Sequence, residues 1–168
     1  KATDWLMANC YLQEQILNNS SRPIEDARIH AMLCYRTPES FEVKFNRTIN
    51  DELGVFNIES WLAHHGEKLQ QRFQLASYKL MNQLLKTIDI TRGRGSFESV
   101  VAPITANIHI IGINTDLFFT PIENRKTNLE LQKLQLQTSY QEIDSIHGHD
   151  AFLIEFEQLH RLLATVFE

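Results

Sequence analysis

Residues 107–113 read NIHIIGI. Branched side chains crowd a helix but pack well on a pleated surface, so this short apolar run predicts a buried strand that ends at the polar triplet NTD. Pro121, preset for a first helical turn, predicts a helix running to about Leu134. A second strand is expected at TSYQEID (138–144), followed by the loop SIHGHD and a closing helix over AFLIEFEQLHRLLATVF (151–167). Parallel neighbours need a crossover of about this length, so the order strand, helix, strand, helix predicts a parallel α/β unit. A parallel pair also needs covered faces and paired edges. The segment therefore reads as the end of a larger sheet.

Working upstream, the chain is helical. Trp5, Leu6, Cys10, Leu12, Ile16 and Leu17 approximate one face of a helix over residues 1–19. NNSSRP (18–23) is a loop, and a second helix is expected from Ile24 to Tyr35. TPESF (37–41) restarts a helix, with Thr37 able to cap and Pro38 suited to the first helical position. From Asn57 to Asp89 apolar residues recur at threes and fours, and the run divides into two helices near Phe73–Leu75. TRGRGS (91–96) is a break without the GK[ST] ending of a phosphate loop, which argues against nucleotide binding there.

Bulk properties narrow the classes further. The chain is 43% hydrophobic and 22% charged, with a net charge of −5. That balance offers no electrostatic reason for nucleic acid or an anionic membrane as partner. The longest nearly apolar run, Val100–Ile113, is interrupted by Pro103, Thr105, Asn107 and His109 and is too short to span a bilayer. The N-terminal KATDWLMANCYLQEQ lacks the basic-then-apolar order of a signal peptide. Cys10 and Cys34 both fall in helical segments and cannot build a disulfide framework, so a reduced, cytoplasmic setting is expected.

The chemistry concentrates at two strand ends. Asp116 follows the first strand and His149 the second, and in parallel α/β sheets such positions converge on the ligand crevice. A carboxylate that fixes the tautomer of an imidazole is the orienting pair of a nucleophilic triad, and Asp before His obeys the α/β-hydrolase order. A plainer reading makes Asp116 a cap for the helix entered through Pro121 and His149 a loop residue. The spacing alone does not separate the two. His147, His149 and Asp150 suggest metal ligands, but Ala151 and Phe152 stand where further ligands would be needed. His64 and His65 diverge by about 100° on a helix, so no metal is expected there either. Arg28 and Tyr35 sit two helical turns apart and share a face. They could hold a carboxylate, or Arg28 could simply pair with Glu25 or Glu39.

Four stretches taken together resemble the homoserine O-acetyltransferases, an α/β-hydrolase-fold family of methionine biosynthesis. They are ARIHAMLCYRTPESFEVKFNR (27–47), FNIESWLAHHGEKLQQRF (56–73), IIGINTDLFFTPIE (110–123) and EIDSIHGHDAFLIEF (142–156). The combination of TDxxFxP with GHDAFL is the specific part. The family usually reads RFDANSY where this chain has RFQLASY (72–78).

The resemblance implies the C-terminal part of an α/β-hydrolase fold, its last two parallel strands with helices, preceded by a helical lid. It divides the chain into core helices (1–37), a lid (38–96) that also builds a homodimer, and the strand–helix–strand–helix end (97–168). It implies Asp116 as triad acid, His149 as triad base, Asp150 as contact for the substrate amine, and Arg28 with Tyr35 as contacts for its carboxylate. Acetyl-CoA is then a co-substrate, L-homoserine the acceptor, and no cofactor is bound. A succinyl donor, a serine acceptor or water remains an alternative, as does a non-catalytic scaffold. No GxSxG elbow occurs in the 168 residues, so the nucleophile is expected from the N-terminal half of the same enzyme.

Overall fold

The computed structural model describes residues 1–167. They form two compact units, Lys1–Cys34 with Pro38–Ile88, and Tyr35–Thr37 with Asp89 onward.

The first unit is helical. Helix α1 (Asp4–Asn19) starts where the Thr3 hydroxyl accepts the Leu6 amide, and α2 (Pro23–Tyr35) begins on the expected proline. Helix α3 (Pro38–Phe45) leads to a hairpin of β1 (Ile49–Asn50) and β2 (Val55–Phe56). Helices α4 (Asn57–Arg72) and α5 (Leu75–Thr87) follow, broken at residues 73–74 as the periodicity predicts. Leu6, Cys10, Leu17, Ile24, Ala27 and Met32 form the buried apolar faces.

Polar residues stitch these faces together. Asn82 on α5 donates to the Cys10 carbonyl at 2.8 Å, and Lys86 meets Glu14 at 2.7 Å. Gln13 donates to the Ala27 carbonyl at 3.0 Å and meets His30 Nδ1 at 3.0 Å. Burial lowers the His30 pKa, which favours the neutral ring that can accept this bond. Helices α2 and α4 cross at Gly66, where an added Cβ would lie 2.6 Å from Glu25 Cγ and 3.0 Å from its carbonyl oxygen. A mid-helix glycine costs about 0.5–1 kcal/mol relative to alanine, and here it permits the close crossing.

In the second unit a short helix α6 (Phe97–Val101) precedes β3 (Ile108–Ile113), α7 (Pro121–Lys133) and β4 (Thr138–Ile143). The two strands pair in parallel from Ile108↔Thr138 to Ile113↔Ile143. Ile113, Ile143 and Ala151 form the core, with Ile111, Leu159 and Leu162 packed against it. On β4, Tyr140 and the Arg125 side chain both bond Glu142, and burial together with that hydrogen bond pushes the tyrosine up to about 12. No helix of the described residues is long and apolar enough to cross a membrane.

The chain end differs from the sequence expectation. The closing helix, α8, spans Phe156–Phe167 rather than starting at residue 151, and a 3-10 turn covers Gly148–Leu153. The Ala151 carbonyl accepts from both Ile154 (2.9 Å) and Glu155 (2.7 Å), while Glu155 accepts from the Ser145 hydroxyl at 2.8 Å. These bonds close the turn before α8 begins. The hairpin and α6 also have no counterpart in the sequence reading, being too short to carry a period.

Candidate active site

Beyond the last paired residues, β3 and β4 stay side by side through side-chain bonds. Asn114 Oδ1 accepts the Ser145 amide at 3.0 Å. Thr115 Oγ1 donates to the Ser145 carbonyl at 2.6 Å and accepts the Gly148 amide at 3.2 Å. These bonds extend the sheet register into the loops and bring residue 116 opposite residue 149.

Asp116 is 6% exposed, and its carboxylate is fully engaged. Oδ1 accepts the Phe118 and Phe119 amides at 2.7 and 2.8 Å, and Oδ2 lies 2.9 Å from His149 Nδ1. A carboxylate can only accept, so the imidazole hydrogen sits on Nδ1 and the lone pair falls on Nε2. No other hydrogen bond of the ring is recorded among the described residues. The plain reading of Asp116 was a cap for the helix at Pro121. Instead its side-chain Oδ1 closes a turn by accepting the amides of the two phenylalanines, and the α7 cap position is Thr120.

Rings surround the imidazole. The centroids of Tyr35, Phe118, Phe119 and Phe152 lie 5.4, 5.4, 5.3 and 5.8 Å from that of His149. A cavity of about 360 Å³ opens beside the pair, lined by Asp116, His149, Phe119, Phe152, Ile143 and Leu159 among others. Its largely apolar wall strengthens any electrostatic interaction made inside it. Chemically, the arrangement is an oriented base beside an apolar chamber.

Tyr35–Thr37 is fastened to the histidine loop. The Thr37 hydroxyl donates to the Ile146 carbonyl, and Arg36 Nε donates to Asp150 Oδ2 at 3.1 Å. Gly148 has φ +65, and a Cβ there would meet the Tyr35 carbonyl oxygen at 3.0 Å and Thr37 Cγ2 at 3.3 Å. The left-handed backbone costs an L-residue about 1–2 kcal/mol, and the backbone oxygen has little room to yield. Gly148→Ala is expected to lower stability by about 2–3 kcal/mol. A urea melt of the complete protein checks this, and an unchanged midpoint would contradict the tight fit.

Of the residues expected from sequence, Tyr35, Asp116, His149 and Asp150 lie in this one unit. Arg28 belongs to α2 in the first unit, half-buried. After burial itself, the Arg28 charge is the largest cause lowering the proton affinity of His65. Of the two glutamates offered as partners for Arg28, Glu25 and Glu39, the first also pairs with Arg22. Sequence reasoning missed Arg36, Phe118, Phe119 and Phe152. The three phenylalanines were inside the quoted motifs. Arg36 carried no local signal, because its partner is 114 residues away.

No family model matches the chain. Curated sequences do. The homoserine O-acetyltransferase of Chlorobium chlorochromatii is 35% identical over 91% of this chain and 42% of its own length. That of Thermus thermophilus is 38% identical over 82% of the chain and 33% of its own length. The chain is homologous to the homoserine O-acetyltransferases. It spans less than half the length of these relatives, reaching 49% of the one from Cyclobacterium marinum. Among solved structures, esterase E22 matches with a TM-score of 0.75 at 13% identity, over 95% of this chain and 50% of that one. The homoserine O-acetyltransferase from Staphylococcus aureus matches with a TM-score of 0.69 at 21% identity, over 94% and 45%. These likenesses show the fold alone: the parallel unit and its helices form the C-terminal part of an α/β-hydrolase fold.

Proposed function

We propose that this chain supplies the acid and base of an O-acyltransferase that moves acetyl from acetyl-CoA to the hydroxyl of L-homoserine, a step of methionine biosynthesis. The observation that carries the reading is the Asp116–His149 pair, with Nδ1 held at 2.9 Å and Nε2 left as the basic nitrogen. The nucleophilic serine and its oxyanion donors are assigned to a segment outside these 168 residues, because the sequence holds no GxSxG elbow. The chain alone is expected to be inactive.

In the first half-reaction His149 Nε2 takes the serine proton as the serine oxygen attacks the thioester carbonyl, and gives it to the departing CoA sulfur. In the second, Nε2 takes the homoserine hydroxyl proton as that oxygen attacks the acyl-serine. It then returns the proton to the serine oxygen. Asp116 stabilises the imidazolium formed each time. The acceptor is a zwitterion, so selectivity needs a cation for its carboxylate, assigned to Arg28 with Tyr35, and an anion for its ammonium, assigned to Asp150. Residues 38–96 act as a helical lid and dimer contact in this reading, and the enzyme works in the cytoplasm.

The complete polypeptide, given acetyl-CoA and L-homoserine, is expected to form O-acetylhomoserine and free CoA in equal amounts. Preference for succinyl-CoA, or release of acetate without transfer, would assign a different acyl chemistry.

A further inference from the structure

Asp150 is 17% exposed in its side chain, and Arg36 is 16% exposed. The bond between them uses one donor, Nε, and one acceptor, Oδ2, at 3.1 Å. The other carboxylate oxygen, Oδ1, accepts no recorded hydrogen bond among the described residues. Both neighbours of Arg36 lie against the same loop: the Tyr35 carbonyl is packed close to Gly148, and the Thr37 hydroxyl donates to the Ile146 carbonyl. Arg36 thus approaches Asp150 from a rigid base and engages half of its carboxylate.

We infer that Arg36 is a positioning residue: it locks Asp150 through Oδ2 so that Oδ1 stays available to the ammonium of the acceptor. This rests on the proposed reading of Asp150 as the ammonium contact. Two effects oppose one another when Arg36 is removed. Loss of a neighbouring cation makes the carboxylate more attractive to any ammonium. Loss of its one recorded side-chain partner lets a mostly buried carboxylate rotate away or draw in water. A charge-assisted bond from an anchored donor fixes direction as well as charge, and the positioning effect wins.

The test uses the complete enzyme with two acceptors, L-homoserine and 4-hydroxybutanoate, which lacks the amine. The quantity read is the ratio of kcat/KM for the two. Arg36→Ala is expected to lower that ratio about tenfold, chiefly through KM for homoserine, and Arg36→Lys to recover part of it. In an Asp150→Asn background, Arg36→Ala is expected to change the ratio less than twofold, since the residue then has no charged partner to orient. A general folding defect would slow both acceptors alike and leave the ratio untouched. An unchanged or increased ratio overturns the inference, as does an equal effect in the Asp150→Asn background. If the wild type itself fails to acetylate homoserine, the acyltransferase reading falls first and carries this inference with it.

Discussion

Replacing His149 with alanine in the complete enzyme is expected to lower the rate of O-acetylhomoserine formation by about 10⁴-fold or more. The imidazole has one ring nitrogen committed to Asp116 at 2.9 Å, and in the proposed reaction the other moves a proton in each half-reaction. Under the proposed mechanism, deleting it removes proton transfer from both steps at once. A single general base contributes about 10²–10⁴-fold, and a base that also activates a nucleophile contributes more. The fold is expected to survive. Asp116 keeps its bonds from the Phe118 and Phe119 amides, so its carboxylate is not stranded. The four rings around the imidazole can close part of the space. Steady-state turnover, read beside a thermal melt, checks both statements. Near-normal turnover would remove His149 from the reaction.

Much of the fold was legible because it rests on local patterns. The β-branched run at 108–113, the proline at 121 and the break at 73–74 each act through their own backbone, and each element formed where its residues directed. Residues 151–153, which the sequence places in the closing helix because helix formers fill them, belong instead to the 3-10 turn that starts in the loop at Gly148; the bonds accepted by the Ala151 carbonyl and the Ser145–Glu155 bond decide this. In the candidate site, Asp116 and His149 stood out because strand ends in a parallel sheet converge. Arg36 did not, since nothing near Tyr35 in sequence marks a partner in the histidine loop. The collar of Phe118, Phe119 and Phe152 lay in plain view as motif letters. Its role depends on ring centroids near 5–6 Å from His149, which spacing along the chain cannot supply.

Asp116→Asn is expected to be nearly as damaging, though it is almost isosteric. The native Oδ1 accepts two backbone amides, at 2.7 and 2.8 Å. An asparagine must place its carbonyl oxygen there, because its NH₂ cannot accept from those donors. Its NH₂ then faces His149 Nδ1 and donates to it, so the ring proton moves to Nε2. The base is left with its lone pair on the wrong nitrogen, and the charge that stabilised the imidazolium is gone. A loss of about 10³–10⁴ in kcat is expected, with stability changed little because the turn onto the phenylalanines is retained. The pH dependence separates this from simple disruption. At high pH hydroxide can take the serine proton in place of the imidazole, becoming water, and an intact site then recovers part of the rate, whereas a collapsed site recovers nothing. Full activity at neutral pH would mean that Asp116 does not set the tautomer, and the 2.9 Å contact would then be packing alone.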